Sequence, residues 1–307
     1  MDPVTALVDR DGVATSGELL GAGVRPVALG RAVEAGAVLR PHRGVYLLPA
    51  AWAPLAAAKR LGGTVSHTTA ADFYGFDQLR SDPMHHVTVP RDRKKQAVPG
   101  VCVHRRDLGR GDVIAAHPVT SVGRTCLDCF RELPLRDAVA LGDSALRKRR
   151  ATHDQLIGAA RALKGNGSAA ARAAAELLDP KSESVLESAG RVEMYLAGLP
   201  APETQVVVQT PLGPRRLDFL FREAGVGVET DGFETHGLTR AALLSDCERH
   251  NGYVLSGLLV LRFGFEHVMR MPAFFTDTIR LALDLAGSLR EVPQCSHCGG
   301  LAIVRAA

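Results

Sequence analysis

The stretch from Leu217 to His236, LDFLFREAGVGVETDGFETH, limits what this chain can fold into more than any other part of it. Apolar and polar residues alternate on both sides of an Arg-Glu-Ala-Gly break, the pattern of two short strands joined as a hairpin. With Glu223 and Ala224 as the loop, opposing residues have numbers that sum to 447. Asp218 then faces Glu229, and both carboxylates leave one face of the sheet. Asp231 returns to that face two residues later, just before a Gly232 that ends the strand. Three acids are therefore expected at one spot.

Like charges facing one another across a ladder repel, so the arrangement calls for a partner. One reading is a solvent-facing strand whose acids are simply hydrated. The other is a hard divalent cation, Mg²⁺ or Mn²⁺, held by Asp218 and Glu229, with water and phosphate oxygens completing its shell.

The 307 residues predict two domains, each large enough for its own core. No apolar run approaches the roughly 20 residues of a membrane helix. The start, MDPVTALVDRDG, lacks a basic, apolar-core leader, and six scattered cysteines do not make a disulfide framework. These features predict a cytoplasmic protein without a membrane partner. Charge is uneven: residues 1–150 carry 22 Lys/Arg against 15 Asp/Glu, and residues 151–307 carry 15 against 18. A basic half joined to an acidic half fits one part that grips a polyanion and one that holds metal, although an asymmetry of this size also arises by chance.

In chain order, residues 1–50 read as helix, turn, helix and basic hairpin. Thr15-Ser16 precedes a short helix, Gly21 and Gly23 break it, and Pro26 opens a second helix to about Ala35. AVLRPHRGVYLLP then forms two strands around a turn carrying Arg40, His42 and Arg43. This is the order of a winged helix, in which the second helix enters the major groove while the hairpin touches the DNA backbone. Residues 51–160 read as a mixed domain: a helix capped by Ser66, a strand in MHHVTVP, a basic turn with Arg91, Arg93, Lys94 and Lys95, a strand in GVCVHRRDL, then two helices. The basic turn and Arg147 to Arg150 are either phosphate contacts or ordinary solvated cations. A domain boundary is placed in the Ala/Gly-rich stretch that ends at Pro180, and residues 181–290 read as helix, three strands, helix, strand, helix, which implies a mixed sheet flanked by helices.

Two cysteine pairs need a reading. Cys126 and Cys129 lie within a helical apolar stripe and are expected to be buried and structural. Cys295, His297 and Cys298 in the tail, residues 291–307, make half of a zinc knuckle and would need ligands from elsewhere.

The C-terminal order and residues resemble the PD-(D/E)XK nuclease superfamily, and more closely its branch related to very-short-patch-repair endonucleases. The resemblance rests on Leu186-Glu187-Ser188 with Arg191, on Arg216 and Asp218, on Glu229, Asp231, Gly232 and His236, on Asp246 and Arg249, and on Leu261-Arg262-Phe263. It covers roughly residues 182 to 285. It implies a restriction-endonuclease-like fold and Mg²⁺- or Mn²⁺-dependent DNA hydrolysis. Asp218 and Glu229 would hold metal, Glu187 would support them, Asp231 and His236 would orient and activate water, and Arg249 and Arg262 would contact phosphate or brace the acids. The wider superfamily has a catalytic lysine two residues after the glutamate; here that position is Asp231.

The N-terminal half is similar to AbiEi-type antitoxins through GVATSGELLGAG, GAVLRPHRGVYLLP, SHTTAADFYGF and VTSVGRTCLDC. That resemblance implies DNA binding in a toxin and antitoxin context, with a toxin partner or a self-dimer; the DNA contacts at Arg40 and Arg43 come from the hairpin of the winged-helix reading. The expected fold class is accordingly α+β to α/β. Two functions stay open: a metal-dependent DNA endonuclease, and a non-catalytic DNA-binding regulator or antitoxin.

Overall fold

The computed structural model describes residues 1–94, 97–115, 117–231 and 240–290. The chain divides into two compact units, Met1–Leu178 and a second beginning at Asp179. Gly232, His236, Lys95 and the tail residues Cys295, His297 and Cys298 lie outside the described residues. Both units mix helices with small sheets, so the protein is α+β.

The first unit opens with α1 (Pro3–Val8), β1 (Val13–Thr15), α2 (Ser16–Gly21), α3 (Pro26–Glu34), β2 (Leu39–His42) and β3 (Val45–Leu47). The three strands form one antiparallel sheet in the order β1-β3-β2, the wing of a winged helix. Local chemistry sets α2: the Thr15 hydroxyl accepts the Glu18 N–H, and the Glu18 carboxylate accepts the Thr15 N–H at 2.6 Å, a reciprocal capping box. Pro26 starts α3 with its φ already set for a helix. Leu7, Leu19, Val24, Leu29, Val38 and Tyr46 close a small core between the helices and the wing.

The remainder of this unit comprises α4 (Ala53–Leu61), β4 (Thr64–Val65), α5 (His67–Phe73), β5 (His85–Val89), β6 (Val101–Arg105), α6 (Val122–Glu132), α7 (Leu135–Arg147), α8 (His153–Ala162) and α9 (Ser168–Glu176). β5 runs antiparallel to β4 and parallel to β6, so the basic turn joins two parallel neighbours instead of a hairpin. Val65, Val87, Val89, Leu55 and Leu61 pack beneath this sheet, and Val13 and Val45 of the winged helix join the same cluster. Ser66 occupies the expected cap position of α5 but does not cap it: its hydroxyl lies 2.8 Å from His67 Nδ1 and accepts from Thr88 at 2.8 Å. Cys126 and Cys129 are fully buried in α6, and burial pushes the Cys126 thiol up to about 12, so both are inert packing groups. Arg147 and Lys148 reach Asp77 at 2.5 and 3.1 Å, which takes these two cations of the Arg147–Arg150 run into an internal network.

The second unit holds α10 (Val185–Leu196), β7 (Glu203–Thr210), β8 (Gly213–Phe221), β9 (Val226–Asp231), α11 (Arg240–Leu255), β10 (Leu259–Gly264), α12 (Phe265–Arg270) and α13 (Pro272–Arg290). The sheet order is β10-β9-β8-β7, with β10 parallel to β9 and the other pairs antiparallel. Phe219↔Val228, Leu220↔Gly227 and Phe221↔Val226 carry the register whose numbers sum to 447, around a turn in which Gly225 takes φ +68°. β9 is buried over five of its six residues, as expected of a central strand covered on both faces. Tyr253 of α11 packs with Leu217, Leu220 and Val260, while Phe275 of α13, Phe219 and Thr230 close around Gly190 of α10.

Among the described residues, no helix is long and apolar enough to cross a membrane.

Candidate functional site

Two sets of residues have the chemistry to act on another molecule, one in each unit. In the winged helix, Arg40 and Arg43 are exposed, Arg40 on β2 and Arg43 in the turn of the wing. The Arg40 guanidinium lies over the Tyr46 ring, 5.5 Å from its centroid, which holds its long side chain against the sheet. His42, between them, is engaged by Arg60 at 3.0 Å. The exposed face of α3 adds Arg25 at its start and Arg31 in its last turn, two cations the residue pattern did not single out.

The second set gathers at the ends of β8, β9 and β10. The regular β8–β9 ladder ends at Phe219↔Val228, one pair short of Asp218 and Glu229. There the two carboxylates diverge. Asp218 Oδ2 accepts the Thr230 backbone N–H at 2.8 Å and its hydroxyl at 3.0 Å. Glu229 Oε1 accepts the Tyr253 phenol at 2.7 Å, while Arg249 and Arg262 stand 3.7 and 3.6 Å from its two oxygens. Asp231 has its own partner, because Arg262 donates to Oδ2 at 2.8 Å and also reaches Asp246. The β9–β10 register explains this: Arg262 lies directly opposite Glu229, and Asp231 follows two residues on.

The expected meeting of three acids at one spot thus resolves into separate environments. The repulsion that made such a meeting costly is relieved by backbone N–H donors and arginines. The only group of three or more metal-ligating side chains held within 4.8 Å of one another among the described residues lies in the first unit.

Glu187 comes from the first turn of α10, where the Ser184 hydroxyl caps its backbone N–H at 3.1 Å. Its carboxylate accepts the Glu183 N–H at 2.9 Å and the Gln205 side-chain amide at 2.8 Å. That same amide nitrogen lies 3.4 Å from Asp218 Oδ1, so Gln205 links Glu187 to Asp218. To do this Gln205 takes φ +52° in the middle of β7, a left-handed conformation that costs a non-glycine residue roughly 1–2 kcal/mol. Gln205 and Tyr253 were not foreseen, although each is an ordinary residue in its own element's pattern. Their roles exist only once the strands are paired.

Burial dominates the electrostatics. Removal from water pushes the carboxyls of Glu187, Asp218 and Glu229 above their ordinary range, against the hydrogen bonds that favour the charged forms. Glu229 Oε2 and Gln205 Oε1 are buried without a hydrogen-bond partner. Carboxylate and amide oxygens are the donor type that hard divalent cations take, and two of them are orphaned here, but the acids themselves are held apart on separate partners.

Comparison with known proteins gives the relationship. The model of the family "Transcriptional regulator, AbiEi antitoxin" matches residues 2–49, the whole winged helix. The uncharacterized proteins Rv2248 and MT2308 from two strains of Mycobacterium tuberculosis are each 30% identical over 220 residues, covering 71% of this chain and 80% of theirs. The chain belongs to their family. The N-terminal part of this family member is an AbiEi antitoxin-type regulator domain. The crystal structure of the RV2827C protein, also from Mycobacterium tuberculosis, aligns with 15% identity and a TM-score of 0.35, over 68% of this chain and 88% of that one.

Proposed function

We propose that this protein is a DNA-binding transcriptional regulator of the antitoxin kind. In this reading α3 enters the major groove with Arg25 and Arg31, and the wing grips the phosphate backbone through Arg40 and Arg43. One observation carries it: the segment that matches the antitoxin regulator family is folded as a complete winged helix with those arginines on its exposed surface. A toxin partner or a second copy of the chain belongs to the same reading. The test is fluorescence anisotropy on duplex DNA in EDTA across a salt series. Loss of two phosphate contacts in Arg40→Ala/Arg43→Ala should make the slope of log K against log salt shallower by about 1.8, at about 0.9 per phosphate. An unchanged slope would refute the assignment of the wing.

A second reading is favoured by the orphaned, buried oxygens of the second unit. The order α10, three antiparallel strands, α11 and a parallel strand supports a PD-(D/E)XK-like nuclease unit. Asp218 and Glu229 would hold Mg²⁺ or Mn²⁺, and Glu187 would keep Asp218 in place through Gln205. Bound there, the cation would neutralise charge on a DNA phosphate and acidify a water. The positive charge that the superfamily places two residues after the glutamate would have to come here from the neighbouring strand, where Arg262 pairs with Asp231 and Asp246 and stands 3.6 Å from Glu229. Arg262 and Arg249 would face phosphate, and His236 would serve as the base. Nicking of supercoiled plasmid with Mg²⁺ or Mn²⁺, lost in EDTA and in Glu229→Gln, is the expected result of this reading; a Glu229→Gln protein as active as the natural one would end it.

A further inference from the structure

Outside these two sets of residues, the first unit brings three histidines together from three elements. His67 opens α5, His86 lies in β5 and His104 in β6. The His67 and His104 rings stack with centroids 3.6 Å apart and planes inclined by 17°, and the His86 ring lies 5.0 Å from that of His104. One ligand nitrogen from each falls within 4.8 Å of the other two. His67 is 4% exposed and takes φ +52°, a left-handed conformation that a non-glycine residue adopts only when its surroundings demand it.

Each ring is held from outside by an oxygen. His86 Nε2 lies 2.8 Å from Asp82, His104 Nδ1 lies 3.1 Å from Glu132, and His67 Nδ1 lies 2.8 Å from the Ser66 hydroxyl. A carboxylate within hydrogen-bond reach requires an N–H from the nitrogen it contacts, which fixes the proton on His86 Nε2 and His104 Nδ1. His86 and His104 therefore present their other nitrogens, Nδ1 and Nε2, to one another at 2.8 Å, and two lone pairs at that distance need either a shared proton or, with the rings moved slightly apart, a metal ion between them. His67 Nε2 is buried without a hydrogen bond, 3.5 Å from Glu132 Oε1. Rings oriented by oxygens on their far nitrogens are the usual environment of imidazoles that bind metal.

We propose that His67, His86 and His104 form a binding site for a borderline divalent transition-metal ion of the Zn²⁺ type, with Glu132, Asp82 and Ser66 orienting the rings. Imidazole suits zinc better than it suits Mg²⁺, which separates this site chemically from the carboxylates of the second unit. Tetrahedral zinc with Zn–N near 2.0 Å sets ligand nitrogens about 3.3 Å apart, so the His86–His104 gap has to open by only about half an ångström. The fourth position falls to water or to Glu132 Oε1. An ion there ties β5 and β6 to α5 and α6, a structural role.

The experiment uses the full chain stripped of metal and titrated with Co²⁺ and Zn²⁺. Thiolate ligands in the tail are removed by Cys295→Ser/Cys298→Ser, and any remaining sulfur ligation would announce itself as near-ultraviolet charge transfer. In that background we expect one equivalent of Co²⁺ with visible d–d bands and no thiolate band. His86→Gln/His104→Gln should abolish it. Glu132→Gln, which keeps all three imidazoles and is gentler on the fold, should weaken affinity by about 10–100-fold. A chain that binds no ion, or one whose stoichiometry and affinity are unchanged in both the histidine pair and the Glu132→Gln variant, would overturn the proposal.

Discussion

Removing the Tyr253 hydroxyl tests how the second unit carries its buried acid. The phenol donates at 2.7 Å to Glu229 Oε1, on a residue only 4% exposed whose Oε2 has no hydrogen-bond partner. In Tyr253→Phe, Glu229 keeps only the arginines at 3.6 and 3.7 Å, beyond hydrogen-bond range. A hydrogen bond to a charged group contributes about 1.5–3 kcal/mol, so Tyr253→Phe should destabilise the second unit by about that much. Glu229→Gln changes the arithmetic. The amide oxygen still accepts the phenol, but as a neutral bond contributing about 0.5–1.5 kcal/mol. The cost of Tyr253→Phe should therefore fall by roughly 1 kcal/mol in the Glu229→Gln background, a coupling that a double-mutant cycle resolves. Burial disfavours the ionised form of Glu229, so Glu229→Gln alone should leave stability unchanged or raised. The assay is urea titration followed by hydrogen exchange of peptides from β8, β9 and α11, because two units need not unfold in one transition. Equal costs in the two backgrounds, within about 0.3 kcal/mol, would refute this account of Glu229.

Two further outcomes concern the first unit. A methyl group added at Gly142 in α7 would collide with Leu178 Cδ2 and stand 2.8 Å from Phe130 Cζ. Gly142→Ala should thus destabilise that unit by about 1–3 kcal/mol through overpacking, read as a lower thermal midpoint. Burial raises the Glu18 carboxyl, but hydrogen bonds from Lys59 and Thr15 outweigh it and hold the carboxyl below its usual range. A depressed folded-state value means the stabilisation is full above the unfolded carboxyl's range, near pH 4.3, and is lost as pH falls through the lower folded value. Thermal midpoints measured from neutral pH downward should show a steeper acid loss for the natural protein than for Glu18→Gln.

Periodicity carried much of the fold. Alternation from Leu217 to Asp231 supplied the hairpin and its register, because one slipped residue would have turned Phe219 and Val228 away from their buried face. Thr15 and Pro26 marked the starts of α2 and α3 through capping chemistry that is local in sequence. What lay beyond reach depends on chain segments that meet only after folding. Asp218 and Glu229 belong to one register, yet the ladder stops before them and Thr230 draws Asp218 aside. Arg262 and Tyr253 reach Glu229 from β10 and α11, and Gln205 reaches Glu187 through a backbone conformation no pattern announces. His67, His86 and His104 are spaced 19 and 18 residues apart, which matches no metal motif, and the parallel pairing of β5 with β6 brings the last two together. Ser66 shows the same limit from another side: its position at the head of α5 was legible, but its hydroxyl serves His67.

Selection from a randomised duplex pool tests most directly whether α3 is the element that reads DNA. Performed in EDTA with the full chain, it should enrich one sequence motif for the natural protein. That motif should be lost in Arg25→Ala/Arg31→Ala while weak, salt-sensitive binding remains through Arg40 and Arg43. A pool that stays random with the natural protein, or a motif that survives unchanged in the α3 variant, would contradict the claim that this winged helix is a sequence reader.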